Sequence, residues 1–117
     1  MNKAVLCGRM TNKPELRYTG TNTPYCRFTL AVDRPKIQDK EQETDFINCI
    51  SWGKQSETIA KYFDKGHKIL INGRIQTGKY TDKDGNNRNT TDIVVEEFDF
   101  IEKKQSDPFQ DFGDMLE

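Results

Sequence analysis

Apolar and polar positions alternate most cleanly in the run YCRFTLAVDR, where Cys26, Phe28, Leu30 and Val32 share one parity and Tyr25, Arg27, Thr29 and Ala31 the other. Successive strand side chains point to opposite faces, so this run predicts a half-buried strand with the first set inward. Before it, residues 3–10 predict a first strand, in which Ala4 to Cys7 is too continuously apolar to show a face. A turn over 11–14 precedes Glu15–Tyr18, which resumes that strand after a bend, and TGTNTP closes a hairpin-like connection. Residues 35–43, PKIQDKEQE, are polar and open on proline, so they predict a mobile loop or hairpin tip.

The segment TDFINCISW is rich in β-branched and aromatic residues and predicts a strand that ends at Gly53. Phe46, Asn48, Ile50 and Trp52 fall on one face and Ile47, Cys49 and Ser51 on the other, and neither face is purely apolar. Two readings follow. The rings of Phe46 and Trp52 either fill a core, where aromatics bury most area, or lie exposed as flat platforms. Next, Ile59, Ala60 and Phe63 recur at helical spacing, with Ser56 placed to cap the helix start and Gly66 its end. In HKILINGRIQTGKY, Ile69, Ile71 and Ile75 share one parity, against Asn72, Arg74, Gln76 and Tyr80 on the other. The second set, an arginine, two amides and a tyrosine, suits a surface that meets a polyanion with exposed bases. Gly73 inside the apolar register predicts a sharp bend in a closed or nearly closed sheet. Residues 81–89 predict a long hairpin tip around Asp84-Gly85, and 91–101 a last strand, bulged near Glu96 and Glu97.

Composition narrows the class. With 117 residues, 33% apolar and 32% charged, the chain supports one domain with a modest core. The net charge of −1 is unevenly spread: residues 1–95 carry 16 basic and 11 acidic side chains, whereas 96–117 carry 2 and 8. A basic body thus precedes an acidic end. Cys7, Cys26 and Cys49 are widely spaced, with no CxxC pair and a single histidine, His67, so the pattern argues against a zinc site and for reduced, buried thiols. No cofactor is implied. The N-terminus lacks a signal-peptide core and no apolar run approaches the ~20 residues of a membrane helix, which predicts a soluble, cytoplasmic protein without a membrane partner. For an enzyme, Cys49 with His67 is the one conceivable pair, and nothing in the sequence orients either.

Strand, strand, strand, short helix, strand, strand is the order of the five-stranded OB-fold Greek-key barrel, with its helix between the third and fourth strands. The segments NKAVLCGRM, ELRYT, FTLAVDR, DFINCISWGKQSETIAKYFDKG, INGRIQTGKYTDKDG and TTDIVVEEFDFIE closely resemble the bacterial single-stranded DNA-binding protein family, including forms carried by bacteriophages. The resemblance covers roughly residues 2–102, nearly the whole barrel. It implies an all-β OB-fold domain over 1–103 and a short, acidic, flexible tail over 104–117. It further implies sequence-independent binding of single-stranded DNA by a homotetramer, a dimer remaining open, in replication, recombination and repair, in a bacterial nucleoid or a phage-infected host.

Carried over by position, the resemblance makes Phe46, Trp52 and Tyr80 base-stacking rings, with Asn48 between the first two on their face. Lys3, Arg17, Lys54, Lys65 and Lys79 match basic positions along the DNA path, and Arg34 and Arg74 fit the Gram-positive-like version of the pattern. Asp107, Pro108, Phe109, Asp111 and Phe112 form the expected docking tail for replication and recombination proteins. The chain also departs from the family. Lys36 and Ile37 stand where another aromatic is common, Gln76 and Gly78 where many members are basic, and Pro-Phe is internal rather than terminal. The rival reading is an OB-fold protein-protein adaptor of the primosomal type, with weak DNA binding.

Overall fold

In a computed structural model of the chain, which describes residues 1–101, six strands and one helix follow one another as β1 (Ala4–Met10), β2 (Glu15–Tyr18), β3 (Pro24–Asp33), β4 (Thr44–Trp52), α1 (Lys54–Tyr62), β5 (Lys68–Thr81) and β6 (Asn87–Phe100). The first predicted strand is divided into β1 and β2, so the order is that of the five-stranded barrel with its helix after the third strand. The strands lie in the order β1-β5-β6-β4-β3-β2, and β1 also pairs with β3, which closes the sheet on itself. All pairings are antiparallel except β4 with β6, which run parallel over Cys49 to Ser51 and Ile93 to Val95. The boundary expected at 103 and the acidic tail lie outside the described residues.

Closure depends on two places where backbones approach too closely for a side chain. Gly8 sits where β1 leaves β5 for β3, and a Cβ there would lie 2.8 Å from the carbonyl oxygen of Ala31. At Gly73 a Cβ would lie 2.1 Å from the carbonyl oxygen of Val94. Gly73 also marks the register shift: Asn72 pairs with Glu97 and Gly73 with Val95, so Glu96 is the extra residue of a bulge. The bulge expected from the two adjacent acids is thus present, facing the bend expected at Gly73.

Inside the barrel, Met10, Cys26, Phe28, Leu30, Cys49, Ile69, Ile71, Ile93 and Val95 form one buried cluster with Ile59 and Phe63 from the helix region. Phe63 stacks on Phe100 at 4.8 Å and meets Phe98 edge-on. The inward set expected for β3 is as read, Cys26, Phe28 and Leu30 being buried and Val32 half-buried. Burial pushes the Cys26 thiol up to about 11, less a contribution from Ser56, and burial pushes Cys49 up to about 12 with help from the nearby Asp92 charge. Cys7, by contrast, is exposed on β1, not buried as expected.

Other expectations need correction. Ile75 shares its parity with Ile69 and Ile71 but is 45% exposed, because it lies beyond Ala4 and Gly73, the last pair of β1 with β5. Ile50 shares the parity of Phe46 and Trp52 yet is 4% exposed, since it lies beside Val94 in the parallel pair with Arg27 opposite it on β3. The helix starts after Gly53, and Ser56 does not cap it: Ser56 is buried and its hydroxyl donates to Ser51 Oγ at 3.1 Å. Phe63 forms the C-cap, while Gly66 serves a later turn in which its N–H donates to the Met10 carbonyl. The last strand begins at Asn87, so the hairpin tip is shorter than expected.

Two hairpin tips are held by carboxylates. At the β3–β4 tip, Arg34 Nε and Nη2 donate to Asp45 and Nη1 donates to Glu43 Oε2 at 2.7 Å, while Gln42 donates to the Arg34 carbonyl. The Arg34 hydrogen bond holds the Asp45 carboxyl below the usual carboxylate range. At the β5–β6 tip, Asp82 accepts from Arg88 Nε and from the Asp84 and Asn86 amides, and these bonds, Arg88's first, likewise lower its carboxyl.

Two outcomes follow from this packing. Gly73→Ala should destabilise the fold by about 3 kcal/mol, the upper end for overpacking, whereas Gly20→Ala, with no atom within 4 Å of its Cβ, should stay within about 0.5 kcal/mol. Urea denaturation of both variants decides, and an equal midpoint would contradict this account of closure. Because Asp82 has a lowered carboxyl in the fold, its bonds stabilise the tip above the ordinary carboxylate pKa and are lost as pH falls through the lowered value. Amide protection at Asp84 and Asn86 should therefore drop in acid below about pH 4, and protection unchanged in strong acid would show that the carboxylate does not hold the tip.

Candidate nucleic-acid interface

Three pairs join β4 to β6, and on their N-terminal side the two strands part. β4 runs on through Asn48 and Phe46 along β3, while β6 stays with β5 in the long hairpin. An open cleft results, lined by Arg27 and Thr29 of β3, Asn48 of β4, Lys79 and Tyr80 of β5, and Thr90 and Asp92 of β6. Directly opposite residues of paired strands share a face, so Phe46, Asn48 and Trp52 look outward with Tyr25, Arg27 and Thr29.

The three candidate rings are all exposed: Phe46 at 68%, Tyr80 at 54% and Trp52 at 44%. Of the two readings the β4 pattern allowed, core or platform, exposure excludes the first. The local reasons differ. Phe46 lies opposite Ala31, whose methyl cannot cover it. Trp52 is opposite Tyr25 and leans on it, ring centroids 5.0 Å apart at 32°, which fixes one face and leaves the other to solvent. Tyr80 stands opposite Arg88 in the part of the hairpin that outruns the barrel. Asn48 Oδ1 accepts from Thr29 Oγ1 at 3.1 Å, which orients its amide across the floor of the cleft.

The candidate cations divide into two groups. Several carry a counter-charge: Lys3 lies 3.3 Å from Glu96, Arg17 3.1 Å from Glu15, and Arg34 is committed to Asp45 and Glu43. Lys54, Lys65 and Lys79 make no ion pair among the described residues, and Arg74 donates to the neutral Gln76 Oε1 at 2.8 Å. Lys79 lines the cleft beside Tyr80, Arg74 is level with Val94 at its root, and Lys54 follows Trp52 at the helix start. Arg17 shares the face of Tyr25, which is opposite it on β3. Lys65 lies in the turn before β5, at the far end of that strand from Tyr80, and is not brought to the cleft.

Three residues of this surface were not singled out from sequence: Tyr25, Arg27 and Asp92. The alternation placed Tyr25 and Arg27 outward, and their nearness to Trp52 and the cleft required the register of β3 on β4. Asp92, 3.6 Å from Arg27, depends on the parallel meeting of β4 and β6, for which the chain carries no local signal. No helix among the described residues is long and apolar enough to cross a membrane.

Comparison with known proteins agrees with this architecture. A protein of Clostridium perfringens named single-stranded DNA-binding protein is 54% identical over 103 residues, which cover 87% of this chain and 67% of the relative. Single-stranded DNA-binding protein 3 of Clostridium acetobutylicum is 52% identical over 87% of this chain and 72% of its own length. The single-stranded DNA-binding protein of Clostridium tetani is 48% identical over 97% of this chain and 80% of its own length. Residues 1–101 match the single-strand binding protein family from end to end of the barrel, and the chain belongs to that family.

Proposed function

We propose that this chain binds single-stranded DNA with little regard to sequence, as a coating protein and not as a catalyst. The observation that carries this reading is the exposure of Phe46, Trp52 and Tyr80, with Tyr80 lining the open cleft and Phe46 and Trp52 on the face of β4 that carries Asn48 into it. A ring accepts the face of any base, contributing about 1–3 kcal/mol per stacked base, so affinity needs no sequence code. Lys54, Arg74 and Lys79, free of carboxylate partners among the described residues, neutralise phosphates and release counterions, which makes affinity fall with salt. Lys3, Arg17 and Arg34 meet phosphates by exchanging a carboxylate for them, and Lys65 lies further along the path. Asn48 hydrogen-bonds bases between the rings.

Family membership supports the rest of the reading: a homotetramer serving replication, recombination and repair inside the cell, with residues 1–103 as the binding domain. The acidic tail over 104–117 docks partner proteins through Asp107, Pro108, Phe109, Asp111 and Phe112. Light scattering reads the assembly directly, and a monomer mass would remove the tetramer.

Titration with oligo-dT at low salt should quench Trp52, the chain's lone tryptophan. Phe46→Ala, Trp52→Ala and Tyr80→Ala should each weaken binding by about 1–3 kcal/mol, measured calorimetrically, while shifting the thermal transition little because the rings are largely solvent-facing. Absence of quenching would favour the adaptor reading, and variants that mainly unfold would return the rings to a structural role.

A further inference from the structure

Trp52 is the least exposed of the three candidate rings and, among the described residues, the only one of them that rests on another ring. Its place on the strand explains why it needs that contact. β4 ends at Trp52, Gly53 turns the chain away at φ 82°, and the parallel pairing with β6 stops one residue earlier, at Ser51 and Val95. The strand that places a residue opposite Trp52 is β3, and that residue is Tyr25. Tyr25 is suited to hold an indole. Its backbone is paired on both sides, with Arg17 of β2 and with Trp52, and its side chain is half-buried. One residue along, the Gly53 amide donates to the Pro24 carbonyl at 2.8 Å, which pins together the two stretches that carry the rings. With centroids 5.0 Å apart and planes 32° from parallel, one face of the indole is covered and the other stays open to a base.

We infer that Tyr25 is a positioning residue for strand binding: it acts through Trp52, holding the indole in its stacking orientation before a strand arrives, and carries no base itself. Phe46 and Tyr80 lack such a support, being opposite Ala31 and Arg88. A ring ordered in advance loses less rotamer freedom on binding, so more of the stacking energy at Trp52 appears as affinity. The inference rests on the proposed strand binding and adds to it a residue that does not line the cleft.

Trp52 is the chain's lone tryptophan, so its fluorescence reports its own freedom. In the full chain without DNA, Tyr25→Val should lower the fluorescence anisotropy of Trp52 and open it to quenching by acrylamide. The same variant should weaken oligo-dT binding at low salt, measured calorimetrically, by about three- to tenfold, the cost of ordering one side chain on binding. Tyr25→Phe keeps the ring and should match the wild type in all three readouts. In a Trp52→Ala background, Tyr25→Val should change affinity by less than about twofold, the margin within which independent effects add. Urea denaturation checks the fold of Tyr25→Val, and if its midpoint falls, Tyr25→Leu, which keeps more apolar volume, carries the same comparison. Unchanged anisotropy or unchanged affinity in Tyr25→Val overturns the inference, as does a loss of affinity in Tyr25→Phe. An equal loss in the Trp52→Ala background also overturns it, since Tyr25 would then meet the strand directly. Failure of the wild type to bind oligo-dT would instead sink the strand-binding reading itself.

Discussion

The short parallel seam between β4 and β6 is the contact on which the rest of the molecule depends. Three residue pairs hold it, Cys49 to Ser51 against Ile93 to Val95, and three of these six residues, Cys49, Ile93 and Val95, belong to the core of the barrel. A longer seam would zip the two strands together and bury Asn48 and Phe46 under β6. As it stands, hydrogen bonding between them ends at Cys49 and Ile93, and each strand continues with another partner. The glycine at 73 and the bulge at Glu96 act at the other end of the seam, beside Val95, where they bend the β5–β6 ribbon into the barrel. The cleft is therefore a product of closure: the geometry that completes the barrel also separates the walls that carry Phe46 and Tyr80.

Charge on this surface is organised by pairs. Lys3, Arg17, Arg27 and Arg34 each face a carboxylate, and most of these groups are about half exposed, where such pairs add little to stability. Their effect on binding is larger. In the proposed strand binding, a cation that already has a counter-charge gains less from a phosphate than one that has released a mobile ion, so Lys54, Arg74 and Lys79, without carboxylate partners among the described residues, would dominate the salt response. The Arg34 cluster does something further. By tying Asp45 and Glu43 across the hairpin, it holds the backbone immediately before Phe46, so a basic residue near the ring supports the ring's position.

Much of the barrel was legible in the chain because local alternation and turn residues suffice for it. The inward set of β3, the bend at Gly73 and the bulge at Glu96 are all local features, and each is where the pattern puts it. Parity misled at Ile75 and Ile50 for one reason: alternation says which residues share a face but not what covers that face. Ile75 lies beyond the last pair of β1 with β5, and Ile50 is hidden by neighbours from distant strands. The three rings were singled out as candidates through resemblance, since the β4 pattern alone left core and platform open. Asp92 and Arg27 escaped because their meeting is set by long-range pairing that no short segment encodes.

In the proposed binding mode a single strand lies along this cleft with its bases on the three rings. Photo-crosslinking with an oligonucleotide that carries 5-iodouracil, followed by peptide mass spectrometry, tests it directly. Crosslinks at Phe46, Trp52 and Tyr80 are the predicted result. Crosslinks confined to the other exposed aromatic surface, around Tyr62 and Phe100, would contradict it.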